Sequence, residues 1–273
     1  MTCHSFLQNA RENYALAAED LVGHYQPISK FAEERAKISC SVSIKVSGEL
    51  MQIDAAFLEK SLREVGKICS SKMDSSPVQE LLRASSAIPF KEWPMYLAAI
   101  VMYTFDLCSV DPATLPEDNF YFRLNELLRK RDPKMLRECS DYLHYLLKGL
   151  ESLPSYRSDK FLWRGVDPKG REIVLKNYTL SKRVHWSGFS SASTDRAKAQ
   201  DFAQHGGVLL RIRLLEEDSL GRDVQLLSAI SSEKEVLLLP NIRLMVTEAC
   251  RKLDGMDTID VLELPERSDT FVF

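Results

Sequence analysis

The hydrophobic rhythm of the chain changes near its middle. Up to about residue 150, apolar positions recur at spacings of three and four, which predicts helices with one buried face. Beyond about residue 160 they fall in short runs rich in Val, Ile and Leu, which predicts strands. The helical spacing covers residues 5–22 and 28–38, and Asp54, whose carboxylate can accept from the first unbonded amides of a helix, predicts a helix over 55–73. Pro77 and Pro94 stand where a first helical turn accepts proline, because the N–H that proline lacks has no partner there. A mostly buried helix is expected from Pro94 to about residue 107, followed by helices over 120–130 and 134–150. One stretch of this half alternates instead, at 39–47, and predicts a strand.

The second half predicts strands over 161–166, 173–175, 184–191, 208–214, 236–239, 242–247 and 259–264. Among them lies one helix, capped by Thr194 or Asp195 and running to about residue 204. Helices first and strands later predict an α+β fold rather than a doubly wound sheet. No Gly-x-Gly-x-x-Gly occurs, so a Rossmann-type dinucleotide site is not expected.

Chemistry enters at Ser231-Ser232-Glu233-Lys234-Glu235-Val236-Leu237-Leu238-Leu239-Pro240. In an extended backbone residues i and i+2 point to one face, so Glu233 and Glu235 are expected to project together. A solvated strand end would explain such a pair standing alone. Two upstream segments change that balance: Phe161-Leu162-Trp163-Arg164-Gly165 and Trp186-Ser187-Gly188-Phe189-Ser190-Ser191-Ala192-Ser193. Arg164 offers a rigid, permanently charged fork that matches phosphate oxygens, and Gly165 would let backbone approach a ligand closely. Ser191 and Ser193 share one face of their strand.

The order Arg-Gly, then Phe-x-Ser-x-Ser, then Glu-x-Glu before a Val-Leu-Leu-Leu-Pro strand resembles the mono-ADP-ribosyltransferases of the R-S-E (cholera-toxin-like) class. The Glu-x-Glu form is similar to their arginine-specific branch. The resemblance covers about 93–265 and implies a helical lobe (93–150) followed by two packed mixed β-sheets (160–265), with NAD in the cleft between them. Residues 1–92 fall outside it, as an accessory helical module, an inhibitory segment or extra packing for the lobe, and 266–273 form a tail.

By the same resemblance Glu235 would bind the ribose of NAD and stabilise the oxocarbenium formed as nicotinamide leaves, a transition state akin to that of glycosidases. Glu233 would orient the acceptor guanidinium and accept its proton, and the stretch before it, 226–232, resembles the family's target-recognition loop. Ser191 would hold Glu235 and the ribose, and Arg164 would bind the NAD phosphates, the alternative being a surface cation stacked on Trp163. Tyr121 and Asn125, four apart on one helix face, resemble residues lining the cleft, or pack the lobe. Phe202 would lie against nicotinamide or else in the core. Trp163 replaces a frequent tyrosine, Ala192 the usual threonine, and His205 an arginine that some relatives carry. Ser193 is expected to support local structure.

Composition narrows the setting without adding to the site. Thirty-six basic and 39 acidic residues give a formal charge of −3, too small for a dedicated nucleic-acid binder. The run Arg129-Lys130-Arg131 alternates with Glu126, Asp132 and Glu138 and is expected to be a solvated helix face. Six cysteines without a Cys-x-x-Cys pair, and five histidines without metal spacing, predict neither a zinc site nor a disulfide framework. The N-terminus lacks a signal-peptide pattern, and the longest apolar run, at 95–105, is far short of the roughly 20 residues a membrane span needs. The expected protein is soluble, cytoplasmic or delivered into a host cell as an effector, uses NAD as substrate and no metal, and acts on a protein with an accessible arginine. Hydrolysis of NAD, or an inactive NAD- or protein-binding module of the same fold, are the alternatives.

Overall fold

The computed structural model describes residues 54–265, apart from 86, 116–117, 131–132 and 159. The helices expected at 5–22 and 28–38, the strand at 39–47 and the tail at 266–273 lie outside the described residues, as do Arg131 and Asp132. What is described forms two compact units, one of residues 54–153 with 226–231, the other of 154–225 with 232–265.

The first unit is helical. Helix α1 (Ala55–Met73) starts as its cap predicts, with Asp54 Oδ1 accepting from Phe57 N at 2.9 Å. Its buried face carries Leu58, Ser61 and Val65 and packs on α3 (Trp93–Tyr103). Between them α2 (Ser76–Ala84) has Pro77 in its first turn and buries Val78 and Leu82. Helix α3 is buried on nearly every side, through Leu97, Ala99, Ile100, Val101 and Met102, and ends at Tyr103 rather than near residue 107. Asp106 then accepts from Cys108 N and opens a 3₁₀ turn over Leu107–Ser109. Helix α4 (Phe120–Lys130) has the expected bounds. The single helix expected over 134–150 is two, α5 (Pro133–Glu138) and α6 (Ser140–Glu151), broken at the fully buried Cys139 (φ −90°, ψ 4°). An unbroken apolar spacing does not record such a local turn.

The second unit is an eight-stranded mixed sheet in the order β2-β7-β8-β4-β1-β3-β6-β5. Its strands are β1 (Leu162–Val166), β2 (Arg183–Trp186), β3 (Ser190–Ser193), β4 (Val208–Arg213), β5 (Gly221–Asp223), β6 (Glu235–Leu238), β7 (Ile242–Leu253) and β8 (Met256–Glu263). Among the described residues only β4 and β8 pair in parallel, and every other pair is antiparallel. The two expected sheets are its halves, joined through the single pair Trp163↔Ser193 between β1 and β3. One apolar core takes side chains from both, with Leu162, Leu210, Ile212 and Ile259 from the first and Ala192, Val236 and Leu238 from the second.

Two segments correct the sequence reading. The stretch expected as a strand at 173–175 lies inside helix α7 (Pro168–Asn177), where Asp167 accepts from Gly170 N at 2.8 Å and Pro168 opens the first turn. The single strand expected over 184–191 is β2 and β3, in different halves of the sheet, with the chain crossing between them at Ser187–Phe189. Helix α8 (Arg196–Ala203) is capped by Asp195, which accepts from Ala197 N at 3.0 Å.

Candidate active site

The three sequence motifs meet on adjacent strands of the second unit. Antiparallel pairing sets Trp163 of β1 level with Ser193 of β3, and Ser193 level with Glu235 at the head of β6. Directly opposed residues share a face, so Ser193 and Glu235 do, and Ser191, two residues before Ser193 on β3, is the diagonal neighbour of Glu235, for which about 7–8 Å is the usual spacing. Ala192 and Val236, one residue off, point to the core instead. Glu235 is 4% exposed, which for a carboxylate demands partners and a purpose.

Glu233 does not share a straight strand with Glu235. It ends a 3₁₀ turn over Ser231–Glu233, and Lys234 between the two has φ +48°, in the left-handed region that side chains other than glycine seldom adopt. The expected geometry of two carboxylates on one pleated face is therefore corrected, since a turn separates the half-buried Glu233 from the buried Glu235. Three hydrogen bonds fix that turn against the end of β3, and a fourth braces the residues that receive it. Ser193 Oγ donates to Glu233 O at 2.6 Å and accepts from Asp195 N at 3.0 Å, Thr194 N donates to Lys234 O at 3.2 Å, and Lys234 Nζ donates to Asp195 Oδ2 at 3.1 Å. The Lys234 ammonium, with the Ala197 amide second, holds the Asp195 carboxyl below its ordinary range. Ser193 thus supports local structure, as expected. Asp195 and Lys234 tie the Glu-x-Glu turn to the cap of α8, and no sequence pattern signals a pair 39 residues apart.

Arg164 extends from β1 with its Nη1 donating to Ser191 O at 2.5 Å. After the single pair that joins β1 to β3, the guanidinium rather than a β1 amide takes this carbonyl. Its aromatic neighbour is Trp186, at 5.7 Å, whereas Trp163 carries Arg196 at 5.1 Å, so the alternative of a cation stacked on Trp163 does not hold for Arg164. Gly165 lies against helix α8. A Cβ built there would lie 2.2 Å from Ala199 O and 2.6 Å from Ala203 N, so the space a side chain would need holds the backbone of α8. Gly165 thus permits the close approach of a helix. Phe202, on the same helix, is 58% exposed, which rules out core packing for its ring.

Tyr121 and Asn125 lie one turn apart on α4, in the helical unit. Asn125 Nδ2 donates to Tyr103 Oη at 2.8 Å, and the ring of Tyr121 meets that of Tyr103 edge-on at 6.4 Å. The buried Oδ1 of Asn125 has no hydrogen-bond partner among the described residues. Among the described residues no group of three or more His, Cys, Asp or Glu is placed to hold a metal, and no helix is long and apolar enough to cross a membrane.

Arg164, Ser191, Ser193 and the buried Glu235 thus lie on three neighbouring strands of one mixed sheet, β1, β3 and β6. The family model for NAD:arginine ADP-ribosyltransferases matches residues 97–269, more than half of the chain, and the protein belongs to that family of NAD-dependent ADP-ribosyltransferases. Among solved structures it is similar to the eucaryotic mono-ADP-ribosyltransferase ART2.2, at 17% identity over 87% of this chain and 90% of the other, with a TM-score of 0.53. A variant of ART2.2 in complex with NADH gives 17% identity, 88% and 89% coverage and a TM-score of 0.51. The type III effector XopAI of Xanthomonas axonopodis pv. citri gives 14% identity over 90% of this chain and 99% of the other, with a TM-score of 0.51. At these identities the likeness is one of fold. No curated protein sequence matches the chain significantly.

Proposed function

We propose that this ADP-ribosyltransferase modifies an arginine side chain of another protein, releasing nicotinamide. The observation that carries the reading is the pair of carboxylates in unlike settings, Glu235 buried and level with Ser193, Glu233 half-buried on a turn fixed by Ser193 and Lys234. In the reaction the bond between ribose C1′ and the nicotinamide nitrogen breaks, a bond from C1′ to a guanidinium nitrogen forms, and one proton leaves the guanidinium. A buried carboxylate suits the cationic ribose, because attraction between opposite charges grows as water is excluded. A partly exposed one suits an incoming arginine and its proton, since a guanidinium with a pKa above ~12 must lose that proton as the bond forms.

Within this reading Arg164 binds the pyrophosphate, Ser191 steadies the ribose, and the exposed Phe202 covers nicotinamide. Action as an effector inside a host cell is the setting we favour, supported by the description of XopAI, a relative in fold, as a type III effector.

The test is incubation of the protein with NAD labelled in its adenine and with agmatine or a cell lysate, scoring agmatine product, labelled protein and free nicotinamide, with the modified residue located by mass spectrometry. ADP-ribosyl-agmatine and label on arginine are expected. Nicotinamide release with no transfer would make the protein an NAD glycohydrolase, and label on another residue type would remove arginine specificity.

A further inference from the structure

The chain leaves the strand unit once between β5 and β6. Residues 226–231 belong with the helical unit, and Glu233 follows two residues later. This short excursion is held by two bonds from different helices. Lys72 Nζ, in the last turn of α1, donates to Leu226 O at 2.8 Å, and Ala229 N donates to Thr104 Oγ1, at the end of α3, at 2.8 Å. Leu227 and Ser228 are fully buried, whereas the Leu226 side chain is 44% exposed. The loop is thus pinned through its backbone and its central residues, with Leu226 turned outward. Lys72 is half-buried, and burial pushes its ammonium below the ordinary lysine range. An ammonium that has given up water gains most from an oriented carbonyl, here one outside any ladder or helix.

We propose that Lys72, on a helix that precedes the family match at 97–269, is a positioning residue for acceptor use: by holding Leu226 it fixes the loop that leads into Glu233. The inference rests on the reading above, in which Glu233 serves the acceptor and Glu235 serves NAD. On that reading α1 bears on acceptor use through the loop it holds.

The experiment uses the full chain as wild type, Lys72→Met and Lys72→Arg. Methionine keeps most of the apolar stem and removes the donor, and arginine restores a donor. Three quantities are read at matched thermal stability: hydrogen exchange of peptides covering 226–231, steady-state transfer to agmatine and to a protein acceptor, and nicotinamide release without acceptor. In Lys72→Met, exchange of the loop should rise and kcat/KM for the acceptor should fall by roughly fivefold or more, a modest loss because the bond is partly solvated. The KM for NAD should move by less than about twofold, and Lys72→Arg should recover most of the loss. Unchanged loop exchange, unchanged transfer, or transfer and hydrolysis falling in parallel would each overturn the proposal. A wild-type chain with neither activity would instead overturn the functional reading and the acceptor role with it, leaving loop exchange to decide whether Lys72 holds the loop.

Discussion

Glu233 and Glu235 stand two positions apart in sequence and in unlike surroundings, and their substitution should separate two reactions. Every reaction of NAD at the nicotinamide bond needs a stabilised ribose, whereas only transfer needs an acceptor. Glu235→Ala should therefore abolish both transfer and hydrolysis, a loss on the order of 10²- to 10³-fold or more. Glu233→Ala should abolish transfer to agmatine while nicotinamide release stays measurable. Assays of both products at matched melting temperature check this, and equal loss of hydrolysis in the two variants would refute the division. Arg164→Lys should raise the KM for NAD more than it lowers kcat, because lysine keeps the charge and loses the fork, where a charge-assisted bond contributes roughly 1.5–3 kcal/mol. An unchanged KM would argue that the guanidinium serves the fold, through bonds such as the one to Ser191 O, and not the phosphates. These residues were legible because their types and order are chemical. Their conformations were not, since a left-handed Lys234 leaves no mark on residue types that would otherwise continue a strand.

At the level of elements, local signals placed those whose caps lie in the sequence. Asp54 and Asp195 open α1 and α8 where their side chains predict, because a cap involves only residues two or three apart. The Asp167–Pro168 start of α7 carries a similar signal, but the apolar Ile173, 65% exposed, drew the reading toward a strand. Strands β7 and β8 run on past their apolar parts to a two-residue Asp254–Gly255 turn, and the exposed, charged residues before that turn hid the extension. Who fills the space over Gly165 is a matter of tertiary packing and could not be read at all. Gly165→Ala should drive Cβ into the Ala199 carbonyl and the Ala203 amide and destabilise the protein by about 1–3 kcal/mol or more, seen as a lower denaturation midpoint. Gly66→Ala supplies the contrast. It lies within α1 with nothing within 4 Å of the added carbon, and should stabilise by about 0.5–1 kcal/mol through helix propensity alone. Equal effects of the two substitutions would mean that α8 does not lie against β1 as described.

For the molecule as a whole, the question is how much chain the transferase needs. The resemblance starts at about residue 93 and the family match at 97, which invites a shortened protein beginning there. The packing opposes it, since α1, α2 and α3 belong to one unit and the 92/93 boundary falls inside that unit. Leu58 and Leu82 are fully buried, Val65 and Val78 are each 3% exposed, and α3, which α1 covers, has almost no polar face of its own. Four buried aliphatic side chains at about 1.5–3 kcal/mol each come to roughly 6–12 kcal/mol, comparable with the whole stability of about 5–15 kcal/mol of an ordinary domain. The cut would also remove Lys72 and with it a bond that holds the loop before Glu233. A chain of residues 93–273 should therefore express as aggregate, or melt without a cooperative transition, and should show no transfer even where some hydrolysis of NAD survives. Circular dichroism melting of the two chains side by side is the measurement. A shortened chain that melts cooperatively at the temperature of the full one, with transfer intact, would show that the helices before α3 are separable from the catalytic body and that the acceptor loop does not depend on them.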